Sequence, residues 1–214
     1  MTIAHHPTDM TLAAFAAGTL DEGQSLVVAT HLSLCAACRR GTRTFEAAAG
    51  ALLDDLPRTP LGPDALSQAL AALTVPPEPR QPQPRPQALD DPLYPPPLSP
   101  YHAGPWRQVG IGVAFRSIAM SGEGGSRVIM LKAAPGRRLP YHAHTGIEWT
   151  CVLRGAFVHD GGHFGAGDFD EADAEVEHRP RVEPGVECIC LVALQGQILF
   201  RGPIGRLLQP FVRL

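Results

Sequence analysis

The chain has 214 residues, a net charge of −3 at pH 7, and hydrophobic residues at 44% of its positions. This apolar fraction supports a packed core and excludes disorder of the chain as a whole. Residues 1–75 carry seven acidic and four basic side chains, and residues 76–214 carry fourteen of each. Because neither part is basic, we expect no direct binding of nucleic acid. We expect a cytoplasmic protein, because the sequence shows no secretory signal and no apolar run near the ~20 residues of a membrane span.

Residues 1–75 predict a small bundle of short helices. The first helix runs through LAAFAA, with Thr8 or the next residue as its cap, and ends at Gly18. The second begins near Asp21, runs through SLVVATHLSLCAACRR and ends at Gly41. The segments TFEAAAGALLDDL and ALSQALAALTV predict a third and a fourth helix. A core this small is marginal unless a metal or a partner reinforces it.

Residues 76–100 hold eleven of the 22 prolines of the chain. Proline lacks the N–H group that helices and sheets need, so this stretch predicts an extended linker, with an ordered crossover as the alternative. Residues 101–214 contain short β-rich runs separated by glycine-rich turns, which is typical of an all-β sandwich or barrel. The predicted fold class is therefore α plus all-β, with domains at residues 1–75 and 101–214.

A first group of metal-binding side chains lies in the predicted second helix. His31, Cys35 and Cys38 form the pattern H-x3-C-x2-C, and their offsets of four and three residues favour one helical face. Two thiolates and an imidazole suit zinc, and a closed site needs a fourth ligand. His5 or His6 can supply it from before the first helix, and we favour His6. A redox role of the C-x-x-C pair is the alternative, although the pair does not sit at a strand-to-helix turn.

A second group follows the pattern G-x5-H-x-H-x3-E-x6-G, which begins at Gly136. His142 and His144 alternate on one side of a strand, and Glu148 opens the next β-rich run. His178 follows a downstream glycine-rich turn. Three imidazoles and one carboxylate that converge inside a barrel predict a site for a divalent metal.

The remaining histidines and cysteines carry weaker signals. His159 and His163 bracket a glycine-rich turn, and we expect both to be exposed loop residues. Cys188 and Cys190 alternate on an apolar strand as a pair of core residues, with an oxidant-responsive thiol pair as the alternative. Cys151 is predicted to lie in the core.

The segment GTLDEGQSLVVATHLSLCAACR resembles the zinc-binding anti-sigma factors over residues 1–75. This resemblance implies that His31, Cys35 and Cys38 bind zinc in a helical domain, with His6 as the fourth ligand. It also implies that this domain binds an extracytoplasmic-function sigma factor and keeps it from the core RNA polymerase.

Residues 104–200 resemble the cupins, both in the first histidine pattern and in the G-A-G-D…H stretch. The resemblance implies a β-jelly-roll barrel with a central metal held by His142, His144, Glu148 and His178. One feature departs from the family, because an Arg-Pro pair follows His178 where cupins often have an asparagine nearby.

The order of these parts, together with the THLSLCAAC and ECICL segments, resembles the ChrR-type anti-sigma factors along nearly the whole chain. The resemblance implies Zn²⁺ in the helical domain and a divalent metal, expected to be Zn²⁺, in the cupin domain. It implies a 1:1 complex with the sigma factor and release on a photo-oxidative signal such as singlet oxygen, without enzyme activity.

Two other functions are compatible with the same residues. Three histidines and a glutamate with an open position also describe cupin dioxygenases and isomerases, here with an accessory zinc domain. A zinc-storage or scaffold protein would carry the same ligands and would have no sigma-factor partner.

Overall fold

The computed structural model describes residues 2–74, 94–122 and 125–200. Most of the predicted proline linker therefore lies outside the described residues, and the domain boundaries at residues 75 and 101 stay a prediction. The described helices are α1 (Asp9–Ala16), α2 (Glu22–Leu34), α3 (Ala36–Asp54) and α4 (Ala65–Thr74), followed by a 3-10 turn at Pro96–Leu98. None of these helices combines the length and the apolarity that crossing a bilayer requires.

The strands follow the helices in the described part of the chain, as the sequence predicts. They are β1 (Arg107–Gly110), β2 (Val113–Ile118), β3 (Arg127–Ala133), β4 (His142–His144), β5 (Glu148–Arg154), β6 (Ala156–His159), β7 (Gly162–Gly165), β8 (Phe169–Ala172), β9 (Glu177–His178), β10 (Arg181–Val182), β11 (Cys188–Leu194) and β12 (Ile198–Phe200). Six of them form an antiparallel sheet in the order β1-β2-β3-β11-β5-β8. Two three-stranded sheets, β10-β6-β7 and β12-β4-β9, complete the barrel.

The first helix agrees with its prediction. The Thr8 side chain accepts a hydrogen bond from the backbone N–H of Thr11 and caps α1. Gly18 follows the end of α1 with a φ of 66°, a left-handed conformation that glycine adopts without strain. The fourth predicted helix is also confirmed as α4, and none of its residues is buried.

The second predicted helix is wrong in its extent. It breaks at Cys35, which has an extended backbone (φ −103°, ψ 107°), and α3 then continues through Gly41 to include the predicted third helix. The Cys35 thiol accepts a hydrogen bond from the N–H of Cys38 and so caps the new helix. Arg39 donates to the backbone carbonyls of Leu32 and Ser33, which the break leaves without helical partners.

Strand β11 of the six-stranded sheet is buried on both faces. In β11, Ile189, Leu191 and Ala193 belong to the hydrophobic cluster that includes α2, whereas Cys190 and Val192 belong to the cluster inside the barrel. Strand side chains alternate between the two faces, so one continuous apolar run serves both clusters. The helical region is therefore packed directly onto the outer face of the barrel.

The amino-terminal end of α2 is fixed to the loop before β3. Asp21 accepts hydrogen bonds from the backbone N–H of Gln24 and from the N–H and hydroxyl of Ser126. Burial opposes ionisation of Asp21, but these hydrogen bonds outweigh it and lower the pKa of the carboxyl group.

The first turn of α2 also lies very close to the sheet at Gly23. A Cβ on Gly23 would lie 2.7 Å from the Ser126 carbonyl oxygen and 2.9 Å from Val128 Cγ2. Only glycine allows this close approach between helix and sheet.

Helix propensity alone would make alanine more stabilising than glycine at position 23, but this packing predicts the opposite. Gly23→Ala should lower the free energy of unfolding by about 1–3 kcal/mol, because the added methyl group meets backbone. The matched control is Gly50→Ala in α3, where a Cβ meets nothing within 4 Å. That change should raise the free energy of unfolding by up to ~1 kcal/mol. Chemical denaturation measures both values, and a stabilising Gly23→Ala would contradict the described contact.

Candidate metal centres

The first cluster brings together the four residues that the sequence singled out in the helical region. One donor atom from each of His6, His31, Cys35 and Cys38 lies within 4.8 Å of all the others. His6 Nδ1 is 3.5 Å from Cys35 Sγ and 3.3 Å from Cys38 Sγ. His31 Nε2 is 3.3 Å from Cys38 Sγ. We call this group the helical cluster.

The structure distinguishes His6 from its neighbour His5. The His5 ring stacks on Phe164 of β7 at a centroid distance of 4.2 Å, and its edge lies 3.3 Å from where a Cβ on Gly162 would be. His6 instead turns its ring toward the two thiols. Adjacent residues in an extended segment point in opposite directions, which explains why only one of the two joins the cluster.

The helix break at Cys35 divides three of the cluster residues between the end of α2 and the start of α3. His31 lies in the last turn of α2, Cys35 at the break, and Cys38 in the first turn of α3. His6 comes from the segment before α1. The sequence predicted one helical face, whereas the structure uses a bend that folds the second cysteine back toward the first.

The barrel fixes the orientation of His31. Its Nδ1 lies 2.8 Å from the carbonyl oxygen of Gly167, in the turn between β7 and β8. A carbonyl oxygen can only accept, so Nδ1 carries the ring proton and the Nε2 lone pair faces the thiols. His31 is fully buried, and burial lowers its pKa to about 4, so the ring is neutral at pH 7.

The same turn holds the amino-terminal segment in place. Asp168 Oδ1 accepts hydrogen bonds from the N–H groups of Ala4 and His5 at 2.6 and 3.0 Å. The N–H of Phe169 donates to the carbonyl oxygen of His5 at 3.1 Å. These bonds determine where His6 lies, so the barrel positions two of the four residues of the helical cluster.

The Cys38 thiol carries a proton that an ion would displace. Burial, and then the neighbouring Cys35 thiol, raise the pKa of Cys38 to about 12. Two thiolates and two imidazoles form a tetrahedral donor set that suits zinc, and zinc binding releases thiol protons. The residues of the helical cluster therefore fit this ion by number, type and proximity.

The second cluster lies inside the barrel and contains His142, His144, Glu148 and His178, again with donor atoms within 4.8 Å of one another. His178 Nε2 is 3.0 Å from His142 Nε2 and 3.3 Å from His144 Nε2. The Glu148 carboxylate lies 3.5 Å from His144 Nδ1 and 3.8 Å from His178 Nε2. We call this group the barrel cluster.

Burial keeps the imidazoles of the barrel cluster neutral at pH 7. It lowers the pKa of His144 to about 4 and of His178 to about 3, and it lowers the pKa of His142 as well. Burial, and then the charge of Asp170, raise the pKa of Glu148 to about 8. A divalent cation would favour the ionised carboxylate and could bind to three imidazole lone pairs, so the residues fit a metal ion.

The outer nitrogens of the barrel histidines differ in their partners. His142 donates from Nδ1 to the carbonyl oxygen of Pro140 at 2.9 Å, which leaves Nε2 free to face the cluster. His178 Nδ1 is buried without a hydrogen-bond partner among the described residues.

Two residues beside the barrel cluster, His159 and Asp170, were not predicted from the sequence as neighbours of the site. His159 was predicted to be an exposed loop residue, but only 5% of its side chain is exposed, and its Nε2 lies 2.9 Å from Asp170 Oδ2. His163 is exposed as predicted, with 55% of its side chain accessible, but it lies in strand β7 rather than in a loop. The available signal was the alternation in β6, which places His159 on the same face as Phe157. This alternation is difficult to recognise because β6 has only four residues and two glycines follow closely.

A cavity of about 350 Å³ opens onto the barrel cluster. Most of its wall is apolar, with side chains such as Val113, Phe157 and Val192, and Cys188 and Cys190 also line it. The two thiols lie 3.6 Å apart and both residues are buried, as is Cys151, which confirms the predicted core positions.

Comparisons with known proteins agree with this architecture. Residues 98–197 match the family described as the ChrR Cupin-like domain. The anti-sigma-E factor ChrR of Cereibacter sphaeroides is 40% identical over 220 residues, which covers 100% of both proteins. The crystal structure of Rhodobacter sphaeroides SigE in complex with the anti-sigma ChrR matches with 39% identity and a TM-score of 0.77. This match covers 91% of the present chain and 100% of the compared one.

Identity of 40% along the whole length of both proteins, on the same succession of helices and barrel, shows that this chain belongs to the ChrR family of anti-sigma factors.

Proposed function

We propose that this protein is an anti-sigma factor that binds an extracytoplasmic-function sigma factor, as a 1:1 complex, and keeps it from the core RNA polymerase. Its ChrR relative was solved in complex with SigE, and the match to that structure is the observation that carries the proposal. This role is regulatory rather than enzymatic, and it is exercised where RNA polymerase works, in the cytoplasm.

The helical region offers a surface for such a partner. In α4, Leu66, Leu70 and Leu73 follow each other at helical spacing, with 71%, 55% and 82% of their surface exposed. The end of α3 and the following loop add further exposed leucines, which are Leu52, Leu53, Leu56 and Leu61. Exposed apolar patches of this kind mark interaction sites, because leaving them in water is unfavourable.

The charge of this region also supports a protein partner that binds DNA. Residues 1–75 carry seven acidic and four basic side chains, a net charge of −3. A DNA-binding partner has a basic surface, and opposite charges accelerate association and favour the correct pairing.

We propose that the helical cluster binds Zn²⁺ through His6, His31, Cys35 and Cys38. Four protein ligands give a closed structural site, which would join the amino-terminal segment to α2 and α3. We propose that the barrel cluster binds a second divalent ion, also Zn²⁺, through His142, His144, Glu148 and His178. The cavity gives molecules access to this second ion, and we propose that the barrel uses it to detect a photo-oxidative signal.

The exposed leucines generate the first test of partner binding. Leu66→Asp combined with Leu70→Asp should weaken binding of the cognate sigma factor at least tenfold, because the interface would have to bury two carboxylates. The fold should be unchanged, since both side chains are exposed in the free protein. Isothermal titration calorimetry with the purified sigma factor measures the affinity.

The matched control is Ile111→Asp, at another exposed apolar residue, in the loop between β1 and β2. This variant should bind the sigma factor as the wild type does. Wild-type affinity in the double leucine variant would show that the partner uses another surface.

The helical cluster generates a test of metal content. Cys35→Ser combined with Cys38→Ser should reduce zinc from about two ions to about one per chain, since serine is a poor zinc ligand. The melting temperature and the affinity for the sigma factor should both fall, because the ion joins the segments of the helical region. Elemental analysis and calorimetry measure these effects.

Cys151→Ala is the control for loss of a buried thiol, because Cys151 is buried outside both clusters. It should keep two ions per chain. A double serine variant that also keeps two ions would contradict the assignment of the helical cluster.

A further inference from the structure

His159 and Asp170 form a largely buried pair that lies outside the four residues of the barrel cluster. His159 lies at the end of β6 and Asp170 in β8, and their side chains are 5% and 12% exposed. His159 Nε2 and Asp170 Oδ2 are 2.9 Å apart. Buried carboxylates are rare unless they serve a partner or an ion, so this pair needs an explanation.

The surroundings of His159 fix its proton and its orientation. The backbone N–H of Gly161 donates to His159 Nδ1 at 2.9 Å, so Nδ1 carries a lone pair. The ring proton therefore lies on Nε2 and is donated to Asp170. The ring also stacks against Phe157 and Phe164, at centroid distances of 5.7 and 4.9 Å. His159 thus holds one carboxylate oxygen of Asp170 in a defined place.

The sheet register directs Asp170 toward the barrel cluster. Asp170 pairs with Thr150 across β8 and β5, and Glu148 lies two residues earlier on the same face. Asp170 lines the cavity together with Glu148 and His178. Donor atoms of His159, Asp170 and His178 lie within 4.8 Å of one another.

The charge of a bound divalent ion suggests what the Asp170 carboxylate does. Three neutral imidazoles and the Glu148 carboxylate leave a bound divalent ion with one uncompensated positive charge in a cavity with a mostly apolar wall. An uncompensated charge in such surroundings is strongly unfavourable. The Asp170 carboxylate supplies the missing negative charge without joining the four ligands.

We infer that Asp170, held by His159, is a positioning residue of the barrel metal centre, which it stabilises by neutralising the ion from outside the ligand set. This inference rests on the proposed binding of a divalent ion by the barrel cluster.

The test uses the full-length protein with Co²⁺ as a spectroscopic substitute for zinc. Asp170→Asn keeps the size of the side chain but removes its charge, and it should weaken metal binding in the barrel by about ten- to a hundredfold. Competition with a chelator measures the affinity. The visible d–d bands of Co²⁺ should keep their wild-type shape, because the four ligands are the same.

An added anion separates charge neutralisation from a merely structural role. The loaded Asp170→Asn site carries one extra positive charge, so azide should bind its Co²⁺ several times more tightly than it binds wild-type Co²⁺. If the asparagine variant folds poorly, His159→Leu tests the same inference, because it removes the donor to Asp170 and should weaken metal binding, whereas His159→Gln retains a donor and should restore most of the affinity. His163→Gln, at the exposed histidine of the same hairpin, is the control and should change nothing.

Three results would overturn the inference. Wild-type metal affinity in Asp170→Asn would show that the charge does not matter, and a changed d–d spectrum would show that Asp170 is itself a ligand. Equal azide affinity in both proteins would contradict neutralisation. A wild-type protein that binds Co²⁺ only in the helical cluster would refute the proposed barrel ion itself, which distinguishes that failure from the others.

Discussion

The hydrogen bond from His31 to the carbonyl oxygen of Gly167 is the contact on which the arrangement of the molecule depends. It joins the helical cluster to the turn between β7 and β8 of the barrel, with 2.8 Å between His31 Nδ1 and the Gly167 oxygen. Because it fixes the ring proton on Nδ1, it leaves Nε2 to face the two thiols. The adjacent Asp168 holds the segment that carries His6. The barrel therefore positions two of the four residues of the helical cluster.

The two clusters are joined through consecutive residues of the chain. Gly167 accepts from His31, and Phe169 packs against the His31 ring at a centroid distance of 5.6 Å. The next residue, Asp170, faces the opposite side of the strand and lines the cavity beside the barrel cluster. Since strand side chains alternate, β8 presents one residue to each cluster. A displacement of β8 at Asp170 would therefore alter the acceptor and the packing of His31, which provides a physical link between the barrel cluster and the helical cluster.

The members of both clusters could be predicted from the sequence because the spacing that brings their side chains together is largely local. His142 and His144 alternate on one strand, and the spacing of Cys35 and Cys38 satisfies a zinc site whether the backbone between them is straight or bent. The bend itself could not be predicted, because the apolar pattern continues through residue 35 without interruption. The break becomes favourable only when Cys35 caps α3 and Arg39 binds the carbonyls at the end of α2.

Contacts between distant parts of the chain could not be predicted from the sequence pattern. Nothing in the pattern around Gly23 states that the sheet lies against it, and nothing around Gly167 identifies His31 as its donor. His159 was misjudged for the same reason, since a histidine beside two glycines is usually exposed, and only its pairing with Asp170 explains its burial. The sequence likewise predicted a helical bundle, while the direct packing of α2 on the sheet emerged only from the structure.

If the barrel holds the helical cluster together, the Co²⁺ affinity of Asp168→Ala should reveal it. Thiolate-to-cobalt absorption reports on the helical cluster alone, because the barrel cluster contains no cysteine among its four residues. Without the Asp168 carboxylate the segment bearing His6 loses the two hydrogen bonds from Ala4 and His5, and we expect binding about tenfold weaker or more, as for other outer partners of metal ligands. Asp173→Ala, at an exposed aspartate beyond β8, should leave the affinity unchanged. Wild-type affinity in Asp168→Ala would show that the helical cluster forms independently of the barrel.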